Sequence, residues 1–239
     1  MEIKIHLPQI QNNINECFLV LDIFFEELKE LSMLFSYRLE KKINGRKQEF
    51  QELNLPIPSF YMEKLSDIYT DVKLNLYFKC YVFILRQVFD KIFLLIFLLK
   101  NPLGFSKVRN GIPNASINFC NFIESLVNKG KKSYDYEEDI LAILERYSDL
   151  LIIGRQLRNS LKENGRFTIL ITNDKADIVC PITKKKDKAL NFLKKKLSVK
   201  VDKVKYFIVE PEFMYDSITQ LKDIVSIAKN KYKEVQQNK

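Results

Sequence analysis

The segment that decides the fold is the most apolar stretch of the chain, Leu74–Leu99, with the sequence LNLYFKCYVFILRQVFDKIFLLIFLL. Four charged residues interrupt it: Lys79, Arg86, Asp90 and Lys91. Its longest uncharged run covers only residues 92–99. A helix that spans a bilayer needs about 20 predominantly apolar residues, and a charge at its centre is costly. The segment therefore predicts the central buried helix of a bundle, with no membrane association.

Helical periodicity continues on both sides of this segment. Apolar residues recur every three or four positions from Gln9 to about Lys42, which predicts a long amphipathic helix that ends at Asn44-Gly45. Further helices are predicted over residues 59–71, 115–128 and 135–163. A last helix begins at Pro211, a residue that favours the first helical position. Its predicted inward face holds Phe213, Ile218, Leu221, Val225, Ala228 and Tyr232.

The pattern changes to period 2 after Gly165. Strands are predicted over residues 166–172, 177–182 and 204–209, and a short lysine-rich helix over 189–197. The fold class is therefore mainly α: a bundle of four to five long helices with a small antiparallel β-sheet inserted before the C-terminal helix. Residues 1–165 would form the bundle, 166–209 a strand subdomain too small to bury its own core, and 210–239 the last helix of the bundle.

Composition excludes several classes of protein. The 239 residues are 46% hydrophobic and 29% charged, which excludes a disordered chain, and the low glycine and proline counts, 6 and 7, exclude glycine-rich phosphate loops. The four cysteines lack the paired spacing of a zinc site, and His6 is the single histidine. We therefore expect no metal site and no cofactor. The N-terminus lacks the pattern of a secretory signal, so a cytoplasmic protein is expected.

One arginine stands where an apolar helix face would continue. In residues 151–165, LIIGRQLRNSLKENG, Arg158 follows Leu151 and Gly154 at the spacing of one helix face. A guanidinium is almost never buried without a partner. Two interpretations remain open: a salt bridge or face-capping arginine inside the bundle, and an anion site at the bundle surface or at a subunit interface.

A second polar set lies on the most apolar helix. Lys79, Arg86 and Asp90 share one face, and Arg86 and Asp90 are four residues apart and can pair. Because such groups are costly to bury unpaired, they form a structural ion-pair network or line a polar pocket. A pairing of Asp90 with Arg158 would join the two polar sets between helices.

The basic residues are concentrated near the C-terminus. Residues 184–205 hold ten lysines and two aspartates, a net +8 of the chain's +9. Such a patch is typical of phosphate-backbone binding, although a solvated surface has the same composition. The candidate nucleic-acid contacts are Lys162, Lys184, Lys185, Lys186, Lys194, Lys195 and Lys196.

Arg158, Asn159 and Lys162 resemble the R-N-x-x-K motif of the HEPN superfamily, helical-bundle proteins of defence and toxin–antitoxin systems. In active members the motifs of two subunits meet in a dimer cleft and cleave RNA without a metal ion. The family's histidine, four to six positions after the arginine, is absent here, and Glu163 stands in that region. The resemblance implies a homodimer in which Arg158 binds the phosphate, Asn159 orients and Glu163 is the candidate proton acceptor.

Three functional hypotheses follow from these patterns. The first is a HEPN-like protein that binds RNA or nucleotide phosphates, or a degenerate metal-independent ribonuclease. The alternative is a non-catalytic regulatory module whose bundle face binds a protein partner. The third is a small-molecule pocket built around Lys79, Arg86 and Asp90.

Overall fold

The structure, a computed structural model, describes residues 7–53, 61–62, 72–100, 142, 144–164, 167–171, 176–181, 198–201 and 204–237. Within these ranges the helices are α1 (Leu7–Glu52), α2 (Val72–Lys100), α3 (Ser148–Asn164) and α4 (Glu212–Gln237). The strands are β1 (Tyr61–Met62), β2 (Thr168–Ile171), β3 (Ala176–Pro181), β4 (Ser198–Val201) and β5 (Val204–Val209). The predicted fold class, mainly α with a small antiparallel sheet, is confirmed.

Helix α2 is the centre of the bundle, as its apolar sequence predicts. It packs against each of the other three described helices. The large side chains that are fully buried come mainly from α2 and from the inner face of α1: Phe25, Phe35, Phe78, Tyr81, Phe89 and Phe93. No helix in the described ranges has the length and apolarity needed to cross a membrane.

Helix α1 is longer than the sequence predicts. Asn44-Gly45 was expected to end it, but the helix continues to Glu52. A glycine inside a helix costs about 1 kcal/mol relative to alanine, which the following turns can offset. Arg46 pairs with Glu49 at 3.4 Å and Gln48 Nε2 donates to Glu52 Oε1 at 2.8 Å, so side-chain pairs one turn apart extend the helix past Gly45.

The strands form one antiparallel five-stranded sheet in the order β1-β2-β3-β5-β4. Strands β2, β3 and β5 match the three predicted strands to within two residues. The helix predicted over residues 59–71 is wrong at its start, because Tyr61 and Met62 pair with Ile171 and Leu170 at the edge of the sheet. Strand β4 was also not predicted; it pairs with β5 across the two-residue connection 202–203.

Aromatic and aliphatic side chains join the sheet to the bundle. Phe167, just before β2, lies with its ring centroid 4.4 Å from that of Phe78 on α2. Ile178 of β3 and Val209 of β5 belong to the same buried cluster as the helix residues. The sheet therefore shares the core of the bundle.

Helix α4 closes the bundle with the inward face that the sequence predicts. Six of its apolar residues are buried: Met214, Ile218, Leu221, Ile224, Val225 and Ala228. Phe213 and Tyr232 are partly buried. Tyr81 of α2 hydrogen bonds to Ser217 and donates to the carbonyl of Met214 at 3.2 Å. Burial raises the pKa of Tyr81, and the hydrogen bond with Ser217 lowers it by a smaller amount. The phenol thus stays neutral and fixes α4 on α2.

Two predicted helices, residues 115–128 and 189–197, lie outside the described residues. The helix predicted over 135–163 is described only from residue 142 onward, with α3 as its last part.

Candidate anion-binding site

The candidate site lies on helix α3. Gly154 determines how closely α3 approaches α2. Gly154 is buried, and a Cβ added there would overlap the ring of Phe89, whose Cζ would lie 2.7 Å away, and would meet Leu85 Cδ2 at 3.4 Å. Only a residue without a side chain permits this approach. The two helices therefore meet closely one turn before Arg158.

Arg158 reaches solvent at the end of this buried face. Leu151 and Gly154 are buried, whereas the side chain of Arg158 is exposed. Its Nη1 donates a hydrogen bond to Asn159 Oδ1 at 3.3 Å. Among the described residues the guanidinium forms no ion pair. The sequence left two interpretations of Arg158 open. The first, a salt bridge inside the bundle, is not formed among the described residues.

Two further basic residues lie on the same face of α3. Lys162 follows Arg158 by one turn and is exposed, and Arg155 precedes it by three residues and is half-buried. The sequence reasoning missed Arg155, although its spacing of three and seven residues from the other two is that of one helix face. The last two turns of α3 thus present a row of positive charge.

Helix α2 contributes a second arginine and a carboxylate. Arg86 Nη2 lies 2.9 Å from Asp90 Oδ1, with 11% of the arginine side chain and 26% of the aspartate side chain exposed. The predicted pairing of these two residues is therefore present. Oδ1 is buried and has no hydrogen-bond partner among the described residues, so the contact is an ion pair without hydrogen-bond alignment.

The positive charge of Arg158 also affects the pKa of Asp90. Burial raises the pKa of Asp90, and the positive charges of Arg86 and then of Arg158 oppose that rise. Of the polar set on α2, Asp90 is thus the residue on which Arg158 of α3 acts. The carboxylate of α2 lies within electrostatic reach of one arginine from its own helix and of one from α3.

Lys79 shares the helix face of this pair at a greater distance. It is half-buried and lies two turns before Arg86, about 10 Å along the helix axis. Within the described part of the chain it forms no ion pair. It therefore lies apart from the arginines, and the pocket predicted from Lys79, Arg86 and Asp90 stays a prediction.

The remaining candidate residues fall outside the description. Glu163 belongs to the last turn of α3, but its side chain is not among those described. The lysines at 184–186 and 194–196 lie outside the described residues, as does His6. In the ranges that the structure covers, no three histidine, cysteine or acidic side chains converge in a way that could hold a metal ion.

A groove that the sequence did not predict lies at the other end of α3. Its volume is 190 Å³, and the start of α3, the end of β5 and the start of α4 line it. Four carboxylates surround an apolar floor that includes Ile153 and Phe213: Asp149, Glu210, Glu212 and Asp216. Negative charge repels phosphate, so the basic end of α3 is the better anion site.

Comparison with known proteins adds no relative. No family model, no curated protein and no solved structure matches the chain. The functional argument therefore depends on the residues of this chain.

Proposed function

We propose that this protein binds RNA or a nucleotide through its phosphate groups, with Arg158 as the principal contact. One observation carries the proposal: the Arg158 guanidinium is exposed and forms no ion pair among the described residues. Exposure lets an external anion reach it. Arg155 and Lys162 on the same helix face add positive charge, and Asn159 holds the guanidinium at one edge.

Arginine suits this task chemically. Its planar fork donates two parallel hydrogen bonds to the oxygens of a phosphate, and it stays charged at any physiological pH. Phosphate contacts of this kind are independent of base sequence. The lysines of residues 184–205 would add long-range attraction for a polyanion. The expectation of a homodimer and of a defence or toxin–antitoxin role comes from the HEPN resemblance and remains part of this proposal.

Replacement of Arg158 by alanine tests the proposal. We expect the affinity for a short single-stranded RNA to fall about tenfold at low salt, because one charge-assisted phosphate contact is lost. The slope of log affinity against log salt should become shallower by about one unit. Fluorescence anisotropy over a salt series measures both quantities.

Arg146→Ala is the matched control. Arg146 is exposed, carries the same charge and precedes the start of α3 at Ser148, which lies about 15 Å from Arg158 along the helix axis. It should change the affinity by less than about twofold, since that distance exceeds the screening length of about 8–10 Å. Equal losses in the two variants would show only a general charge effect. No binding by the unmodified protein at low salt would refute the proposed function.

Ribonuclease activity is the catalytic form of the same proposal. Arg158 would stabilise negative charge on the phosphate as the transition state forms. Without an imidazole in the motif, proton transfer would fall to Glu163. Cleavage of this kind continues in the presence of a chelator and disappears in Arg158→Ala. Cleavage that a chelator abolishes and that does not depend on Arg158 would contradict it.

The second candidate function, a protein-binding module, is favoured by an apolar face on α2. Val72, Leu76 and Phe83 lie within about 40° of one another around the helix, and each is more than half exposed. Exposed apolar residues on one face are typical of protein contacts. Absence of RNA binding at low salt would favour this function over the first.

A further inference from the structure

The site contains its own anion. Asp90 forms an ion pair with Arg86 at 2.9 Å, and its neighbour Phe89 packs against Gly154, one turn before Arg158. The positive charge of Arg158 acts on Asp90 as well. Two positive charges from two helices therefore act on one carboxylate. Among the described residues, these two arginines are the charged groups that shift the pKa of Asp90. Asp90 is the only acidic residue of α2, so no other carboxylate of that helix competes for the arginines.

The surroundings of Asp90 differ from those of a stabilising salt bridge. A carboxylate that holds a fold together accepts several hydrogen bonds, and its pKa falls below the usual range. At Asp90 burial outweighs both arginines and raises the pKa, and Oδ1 is buried without a hydrogen bond among the described residues. The charged form is thus only partly compensated by the protein. A half-buried pair of this kind is weak support for stability.

A carboxylate and a phosphate compete for the same donors. Both present oxygen atoms that accept paired hydrogen bonds from a guanidinium. An RNA phosphate bound to Arg158 would meet the negative charge of Asp90, and Arg86 is already engaged with it. The carboxylate therefore opposes the ligand in two ways: it repels the ligand, and it holds the second arginine.

We propose that Asp90 is a built-in competitor that sets the phosphate affinity of the site and that Arg86 is its second phosphate-binding arginine. The inference rests on the proposed function, since it assigns the residues that tune the same site. Arg158 makes the outer contact because it is exposed. Arg86 joins when the phosphate takes the place of the Asp90 carboxylate. The conservative variant Asp90→Asn separates charge from shape, because the amide keeps the size of the carboxylate and removes its charge.

Asp90→Asn should bind a short single-stranded RNA about three- to tenfold more tightly than the unmodified protein at low salt, because a nearby negative charge is removed. The salt slope should steepen by up to about one unit, since one more positive charge becomes available to a phosphate. A purely structural role of Asp90 would leave that slope unchanged. Arg86→Gln in the Asp90→Asn background should remove most of the gain.

Asp149→Asn is the matched control. It makes the same change in net charge on an exposed residue of α3, about 13 Å along the helix axis from Arg158. That distance exceeds the screening length at physiological salt, so the affinity should change by less than about twofold. Thermal unfolding of each variant, followed by circular dichroism, establishes that the compared proteins are folded.

The outcomes separate this inference from the proposed function. If the unmodified protein binds RNA through Arg158 and a folded Asp90→Asn binds equally or more weakly, the inference is overturned and the proposed function stands. Equal tightening in Asp149→Asn also overturns it. Absence of binding in both proteins overturns the inference together with the proposed function.

Discussion

Replacing Gly154 by valine should lower the free energy of unfolding by about 3 kcal/mol. The added Cβ would overlap the ring of Phe89, with Cζ only 2.7 Å away, and that ring is fully buried. Overpacking of a dense core costs about 1–3 kcal/mol, and valine adds two methyl groups beyond the Cβ. Urea denaturation followed by circular dichroism measures the change.

Two variants make this result specific. Gly45 is also a helical glycine, but a Cβ added there would meet no atom within 4 Å. Gly45→Ala should therefore leave stability unchanged or raise it by up to about 1 kcal/mol. Trimming the ring with Phe89→Leu should recover part of the loss, with a coupling of about 1 kcal/mol or more in a double-mutant cycle. Additive effects would contradict direct contact.

Phe167→Ala should cost about 3–5 kcal/mol, the range for removing a buried phenylalanine side chain. The ring is fully buried, and its centroid lies 4.4 Å from that of Phe78. Its removal leaves a cavity where the start of β2 meets the central helix α2. The same denaturation experiment measures the loss.

Phe83→Ala is the control for this second prediction. Phe83 lies on the same helix as Phe78, but its side chain is mostly exposed. Its removal should change stability by no more than about 0.5 kcal/mol. Equal costs for Phe83→Ala and Phe167→Ala would mean that the ring of Phe167 does not join the sheet to the bundle.

The first of these predictions also concerns the candidate site. Gly154 lies one turn before Arg158, and its close approach to Phe89 brings that part of α3 against the part of α2 that carries Asp90. A side chain at position 154 would push the helices apart. In any folded Gly154→Ala protein, Asp90→Asn should therefore have a smaller effect on RNA affinity than it has in the unmodified protein.

Hydrophobic periodicity predicted the long elements well. The limits of α2, the inward face of α4 and strand β5 follow from patterns within each segment. One error concerns a strand that depends on distant residues, and another concerns a helix end that depends on local side-chain pairs. Strand β1 has two residues and exists because it pairs with Leu170 and Ile171, so its local sequence carries little signal. The helix end expected at Gly45 failed because pairs such as Arg46–Glu49 extend the helix.

Part of the candidate site could likewise be predicted from the sequence, and part could not. The sequence predicted that Arg86 and Asp90 pair, because four residues separate them on one helix. It also singled out Arg158 by its position after an apolar face. It left open whether that arginine is buried or exposed, because exposure depends on which helices cover the face. Arg155 was not predicted, because a charged residue at helical spacing is equally typical of a solvated helix face.

The sequence alone determined a helical bundle with a small sheet, since periods of 3.6 and 2 are written into each segment and burial of apolar faces follows from them. The tertiary structure alone decided that Arg158 is exposed and that Asp90 lies near it. Both facts depend on how closely α2 and α3 approach, which Gly154 permits. Electrostatic energy depends on distance between side chains that are remote in sequence, and only the folded chain fixes those distances.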